Sequence, residues 1–249
     1  MLINTVILML RDALPIALLI SFMLLAFRVE HRAIWQLALA SLITTALLVL
    51  SRNTVSDLLD GTGYEWLTVM LLVVAYVSAL ASMKSPVQSH YLILTAAPII
   101  SLHVADFALY LVAFGSHSER IPAIFIGSVL GCGISLSIAI LLVVLLAPYR
   151  TGLALRCLWM LFMAAQASDV IPQLQQIGVI DETSPLWNSS ALVSDASEYG
   201  HLLNALMGYE SQPGIAYFAS WVGLVVVAQW FALRSYFLLR PRAAEGVFS

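Results

Sequence analysis

Of 249 residues, 61% are hydrophobic and only 10% are charged, and the mean hydropathy is +0.94. Soluble domains carry about 25% charged residues, so this composition excludes one and predicts an integral membrane protein. The net charge of −3 and the lack of a basic patch argue against nucleic acid as a partner.

Seven apolar runs, at roughly 3–27, 33–51, 63–83, 91–114, 122–147, 153–177 and 214–238, predict seven membrane-spanning helices. Each is near the 20 or so residues that cover the hydrocarbon core at helical rise. The first run contains Leu8-Met9-Leu10-Arg11-Asp12-Ala13-Leu14-Pro15. With no basic segment before it and Arg11 inside it, it reads as a span and not as a cleaved signal peptide. Arg11 and Asp12 each cost several kcal/mol in lipid unless they face protein or water. The ring of Pro15 displaces the carbonyl four residues back, that of Arg11, and leaves a free oxygen at the same depth. Charge, countercharge and carbonyl together predict an ion site; the alternative is a buried pair that fixes helix packing.

Residues 52–62 carry Asp57 and Asp60, either a solvated helix start or an outer capture site for cations. In the fourth run, His103 and Asp106 stand three apart and share one helix face, while Pro98 frees the carbonyl of Leu94. A role in an ion pathway competes here with a simple interhelical hydrogen bond. Spans one and four run in opposite directions, each polar and interrupted by proline. That predicts an inverted repeat of two three-helix units, about 1–85 and 90–177, with a site near the bilayer midplane. In the fifth run, Gly127-Ser128-Val129-Leu130-Gly131, followed by Gly133, permits close helix contact, inside the chain or at a homo-oligomer seam. The sixth run ends with Gln166, Ser168 and Asp169 ahead of Pro172, which frees the carbonyl of Ser168. Asp169 either walls the pathway or snorkels to the outer surface. A long polar loop, 178–213, precedes the seventh span and carries Asp195 and Glu198, either further outer capture residues for cations or ordinary exposed acids.

Arg28, Arg32, Lys84, Arg150, Arg156, Arg234, Arg240 and Arg242 fall on one side, and only Arg52 and Arg120 on the other. The opposite side is acidic, with Asp57, Asp60, Glu65, Glu119, Asp181, Glu182, Asp195, Glu198 and Glu210. The positive-inside rule then puts the N-terminus outside and the C-terminus in the cytoplasm. The scattered methionines Met9, Met23, Met70, Met160 and Met163, with Cys132 and Cys157, read as apolar packing residues. His31, His90, His117 and His201 read as surface residues, which leaves a single intramembrane histidine and disfavours haem ligation. No nucleophile–base constellation predicts an enzyme, and no organic cofactor is expected.

Several of these stretches resemble the oxidase-dependent iron permeases, the Ftr and Efe-type family. Thr5-Val6-Ile7-Leu8-Met9-Leu10-Arg11-Asp12-Ala13-Leu14-Pro15 is similar to that family's first helix with its Arg-Glu-x-x-Glu motif. Asp57-Leu58-Leu59-Asp60-Gly61 is similar to the acidic lead into its third helix. The outer loop resembles the family's most closely, through Ser184-Pro185-Leu186-Trp187-Asn188-Ser189, Gly200-His201-Leu202-Leu203-Asn204 and Gly208-Tyr209. The resemblance implies a seven-helix iron permease of the plasma membrane, in a bacterium the inner membrane, served by a periplasmic or outer-face oxidase or iron-binding protein. It also implies four carboxylates around ferric iron, and here the chain departs. Arg11 matches, Asp12 stands for the first Glu, and Pro15 replaces the second. In the second motif Leu102 replaces the Arg, His103 the first Glu and Asp106 the second. Asp12, His103 and Asp106, with Arg11 alongside, suit a divalent metal better than hard Fe3+; Fe2+ fits, and Zn, Mn and Cu share that chemistry. Ligation by His103 needs a neutral ring, so uptake should fall as the imidazole protonates. The alternative is a non-transporting membrane subunit that docks a periplasmic oxidase, metal-binding or electron-transfer partner.

Overall fold

Each apolar run becomes a helix because, in lipid, only a helix satisfies every backbone N–H and C=O within its own segment. A computed structural model describes residues 2–27, 29–84, 89–114, 121–150 and 152–239. The order is α1 (Leu2–Ala26), α2 (His31–Ser56), α3 (Gly63–Ser82), α4 (Ser89–Phe114), α5 (Ile121–Leu146), α6 (Leu153–Ser168), α7 (Val170–Gln176), α8 (Glu198–Met207) and α9 (Ile215–Leu239). With α6 and α7 forming one broken span, seven helices are long and apolar enough to cross a membrane. Among the described residues there is no strand. The chain is an all-α, multi-pass membrane protein. Arg28, His117, Glu119, Arg120, Arg240 and Arg242 lie outside the described residues.

The core gathers on α6, whose Leu155, Trp159, Met160, Phe162 and Met163 are all fully or almost fully buried. Phe22 and Phe27 meet Trp159 edge-on, at ring separations of 6.4 and 5.5 Å. The outer faces of α2, α5 and α9 carry the opposite pattern, with Leu50, Phe125 and Trp230 all exposed to the bilayer. Lipid tails are as apolar as leucine, so helix association rests on close packing. Gly127 and Gly131 supply it between α5 and α1. A Cβ on Gly127 would stand 2.7 Å from the Cβ of Thr5, and one on Gly131 2.6 Å from the Cβ of Met9. Both glycines therefore serve contact inside the chain. Gly133 faces open space, and Cys132 is exposed on α5 instead of packed in the core.

Hydrogen bonds tie α4 to its neighbours. Thr5 Oγ1 and Tyr110 OH lie 2.9 Å apart across α1 and α4, and the Ser101 hydroxyl donates to the Ser41 carbonyl of α2 at 3.1 Å. The first ties α1 to α4 and the second ties α4 to α2.

The predicted proline interruptions need correction. α1 runs through Pro15 and α4 through Pro98 without ending, so each proline frees one carbonyl and breaks nothing. The real break is at Asp169, between α6 and α7. Pro172 sits in the first turn of α7, where its missing N–H would have had no helical partner.

The long loop 178–213, expected as polar coil, holds the helix α8. The Ser197 side chain caps α8 by accepting from the N–H of Gly200 at 3.0 Å. Gly208 ends the helix in the left-handed region at φ 72°. The bundle then takes up α8's orphan carbonyls. Trp221 Nε1 donates to Met207 O at 2.7 Å, Tyr217 OH to Gly208 O at 3.0 Å, and Gln166 Nε2 to Ala205 O at 3.2 Å. A helix docked by three side-chain donors is fixed in place on the bundle.

Candidate functional site

Four segments meet around a polar cavity of about 290 Å³. α1 contributes Arg11, Asp12 and Pro15, and α4 contributes His103 and Asp106. The α6–α7 break brings Gln166, Asp169, Pro172 and Gln173, and α8 closes the far wall with His201 and Asn204. At about 30 Å³ per water, the space takes an ion together with part of its hydration shell.

Asp12 is the deepest group, only 2% exposed. Its Oδ1 accepts from Arg11 Nε at 3.2 Å and lies 3.9 Å from His103 Nδ1. Its Oδ2 is buried with no hydrogen-bond partner. A carboxylate oxygen without a partner in such surroundings is costly and is a natural acceptor for a cation or a proton. Arg11 contrasts with it, since its side chain is 57% exposed and lies along the cavity wall. Asp106 is exposed at the cavity wall, within the electrostatic reach of Asp12, His103, Arg11 and Arg52. Asp169 feels the charges of His103 and Arg11. Arg52 lies over the Tyr64 ring, 5.5 Å from its centroid.

The two motifs chosen from the sequence, Arg11–Asp12 and His103–Asp106, therefore share one cavity, and Asp169 belongs to the same wall. His201 was expected at the surface and instead points inward, its Nε2 buried and without a partner. Burial, reinforced by the positive charge of Arg11, pushes its pKa below the ordinary histidine value, so the ring is neutral near pH 7. The caps Ser197 and Gly208 were the sequence signal for α8, and the position of His201 on it follows only from the tertiary docking.

The predicted outer capture residues stand apart. Asp57 caps the C-terminal end of α2 and Asp60 occupies a left-handed turn at φ 58°; both are exposed, and neither lines the cavity. Asp195 is a loop staple: its two carboxylate oxygens accept from the Ser211 N–H at 2.8 Å and the Ser211 hydroxyl at 2.6 Å. Glu198 sits in the first turn of α8, where its charge favours the helix dipole. Pro98 also lies away from the cavity lining.

Glu210, just beyond α8, is pushed up to about 7 by burial, with the charges of Asp169 and Asp195 adding to it. In an opened loop it would return to its ordinary 4.5. Docking is therefore fully favoured below about 4.5 and weakens as pH rises through about 7, because the opened form ionises first. Hydrogen exchange of residues 198–213, corrected for intrinsic rates, should show protection falling between pH 5 and 8 (on the order of tenfold per 1.4 kcal/mol). Glu210→Gln should flatten that profile; an unchanged profile in the variant would assign the effect elsewhere.

Among the described residues, no three His, Cys, Asp or Glu side chains are close enough to hold a metal ion directly. The arrangement suits a cation that keeps part of its water and is held by one or two side chains at a time. Compared with protein families, curated proteins and solved structures, the chain matches none.

Proposed function

We propose that this seven-helix membrane protein is a permease for a metal cation, with iron as the leading cargo and Fe2+ as the form the side chains suit best. One observation carries the reading: a polar cavity shared by Asp12, His103, Asp106, Asp169 and His201, in which the buried Asp12 keeps an oxygen without a partner. Ionisable groups inside a membrane bundle are expensive, and by default they point to ion or proton paths. Carboxylates and imidazoles that act one or two at a time suit a partly hydrated divalent borderline metal.

In this reading Arg11 neutralises Asp12 while the site is empty and moves aside when a cation arrives. The helix pairing supports an inverted-repeat mechanism. α1 packs chiefly on α5 and α4 on α2, the exchange expected if a two-fold relates α1 to α4 and α2 to α5. The charge distribution supports an outer N-terminus and a cytoplasmic C-terminus, and the family likeness is what suggests a plasma membrane, in a bacterium the inner one. α8 then stands on the outer side as the wall a cation must pass, and the loop around it is where a periplasmic oxidase or iron-binding protein would deliver cargo. The sequence likeness to the oxidase-dependent iron permeases points the same way.

The test is uptake of Fe2+, Mn2+ and Zn2+ into proteoliposomes of the purified chain. Saturable uptake above protein-free vesicles, preferring Fe2+, is the expected result. Vesicles that take up none of the three overturn the proposal.

A second reading, a non-transporting subunit that docks a partner, draws on the lack of a converged three-donor set among the described residues. Equilibrium binding of Mn2+ to the purified chain separates the two, since a scaffold has no reason to bind it.

A further inference from the structure

A second polar feature lies far from the cavity. Arg156 precedes Asp169 by thirteen residues on the same span, or about 20 Å at helical rise. Near that end of α6, a cleft of about 270 Å³ opens between the ends of α3 and α9. Its polar rim is Lys84, Arg234 and Ser235, and its apolar floor is Met83, Phe231 and Leu238. Behind Ser235, Arg156 Nη1 donates to the Ser235 hydroxyl at 3.0 Å. The Lys84 ammonium is held over the Phe231 ring, 5.5 Å from its centroid.

Among the described residues, three cations thus share one small region without a paired anion. Among the described residues, both ion pairs belong to Asp12, so no carboxylate pairs with Lys84, Arg156 or Arg234. Arg156 is half-buried and uses one of its five N–H groups on a neutral hydroxyl. Like charges in a partly apolar cleft repel strongly unless a counter-anion joins them. The height of the cleft says what kind of anion. α3 spans 20 residues, about 30 Å, which matches the hydrocarbon thickness, and Lys84 follows two residues after it. The cations therefore stand at the level of lipid phosphates, and the exposed Leu238 continues the apolar floor toward the acyl region.

We propose that this cleft binds the phosphodiester headgroup of an anionic phospholipid, with Lys84 and Arg234 pairing to the phosphate and an acyl chain lying along Phe231 and Leu238. Basic pockets between transmembrane helices hold anionic headgroups by the same charge pairing. A zwitterionic lipid carries the same phosphate but adds a cation of its own, which Lys84 and Arg234 disfavour. The proposal depends only on the chain spanning a membrane, and metal transport has no part in it.

The test is native mass spectrometry of the delipidated full chain titrated with phosphatidylglycerol, cardiolipin or phosphatidylcholine. The expected result is retention of an anionic lipid at one site, with phosphatidylcholine bound at least about tenfold more weakly. Lys84→Gln with Arg234→Gln should weaken the anionic lipid by about 10- to 30-fold, at about 1 kcal/mol per cation lost. Each single variant should show about a fivefold loss, which keeps the test open if the double variant fails to fold. Arg32→Gln, a cation outside the cleft, should leave binding unchanged. Equal retention of phosphatidylcholine, or full retention by the double variant, overturns the proposal. Competition by millimolar inorganic phosphate as effective as competition by lipid would reassign the cleft to free phosphate and also overturn it.

Discussion

Asp12→Asn is expected to lower metal uptake by about 30- to 150-fold while the purified chain remains helical and monodisperse. Losing a charged acceptor for a cation removes about 2–3 kcal/mol of charge-assisted contact, which sets that scale. The fold should tolerate the change for a specific reason. Asn keeps the shape of Asp and an oxygen that still accepts from Arg11 Nε, now 3.2 Å from Asp12 Oδ1. Arg11 would lose its countercharge, but its side chain is 57% exposed and reaches water in the cavity, so no buried cation is stranded. The Asn amide nitrogen would stand where the partnerless Oδ2 now is and present a donor where a cation needs an acceptor. If Asp12 and Arg11 were only a packing pair in a docking subunit, the same substitution would leave the protein's behaviour unchanged. Proteoliposome uptake together with thermal unfolding of the variant decides between them; wild-type uptake by Asp12→Asn would remove Asp12 from the pathway.

The helices were legible because the bilayer imposes one rule on every residue of a span. Seven apolar runs predict seven crossing helices, and each lies within a few residues of its sequence-based limits except α2, which continues to Ser56 instead of stopping near 51. Its last two turns carry Arg52, Asn53 and Thr54, polar enough to look like loop but still within the helix. The meeting of Arg11–Asp12 with His103–Asp106 was also legible, because charges inside an apolar run have few places to go. α8 hid for the opposite reason. Its sequence, Glu198 to Met207, is only moderately apolar, and what places His201 in the cavity is three donors from α6 and α9 reaching its carbonyl end. Tertiary hydrogen bonds of that kind leave no periodic trace. The prolines misled in a third way. Pro15 and Pro98 remove one backbone hydrogen bond each, but both helices continue through them, packed chiefly on α5 and α2.

That packing is also where the fold is most sensitive. Gly131→Leu is expected to lower the thermal transition by about 5–10 °C, on the scale of 2–3 kcal/mol of overpacking in a chain of this size. At Gly131 even a methyl group would stand 2.6 Å from the Cβ of Met9 and 3.0 Å from the Val6 carbonyl oxygen, neither of which is the flexible end of a side chain. α1 has to move off α5. Gly133→Leu, two residues further on the same helix, is the control, because a Cβ there meets nothing within 4 Å. It should be neutral or slightly stabilising, as replacing a helical glycine gains up to about 1 kcal/mol. The contrast separates helix contact from helix propensity, since both variants make the same chemical change. It also bears on the site. Met9 is two residues from Arg11 and three from Asp12, so displacing α1 shifts Asp12 relative to His103, now 3.9 Å away, and relative to Asp106. Gly131→Leu should therefore lose uptake even at temperatures where it remains folded, whereas Gly133→Leu should transport normally. Equal melting temperatures for the two variants would show that α1 does not depend on α5 for its position, and the cavity's geometry would need another support.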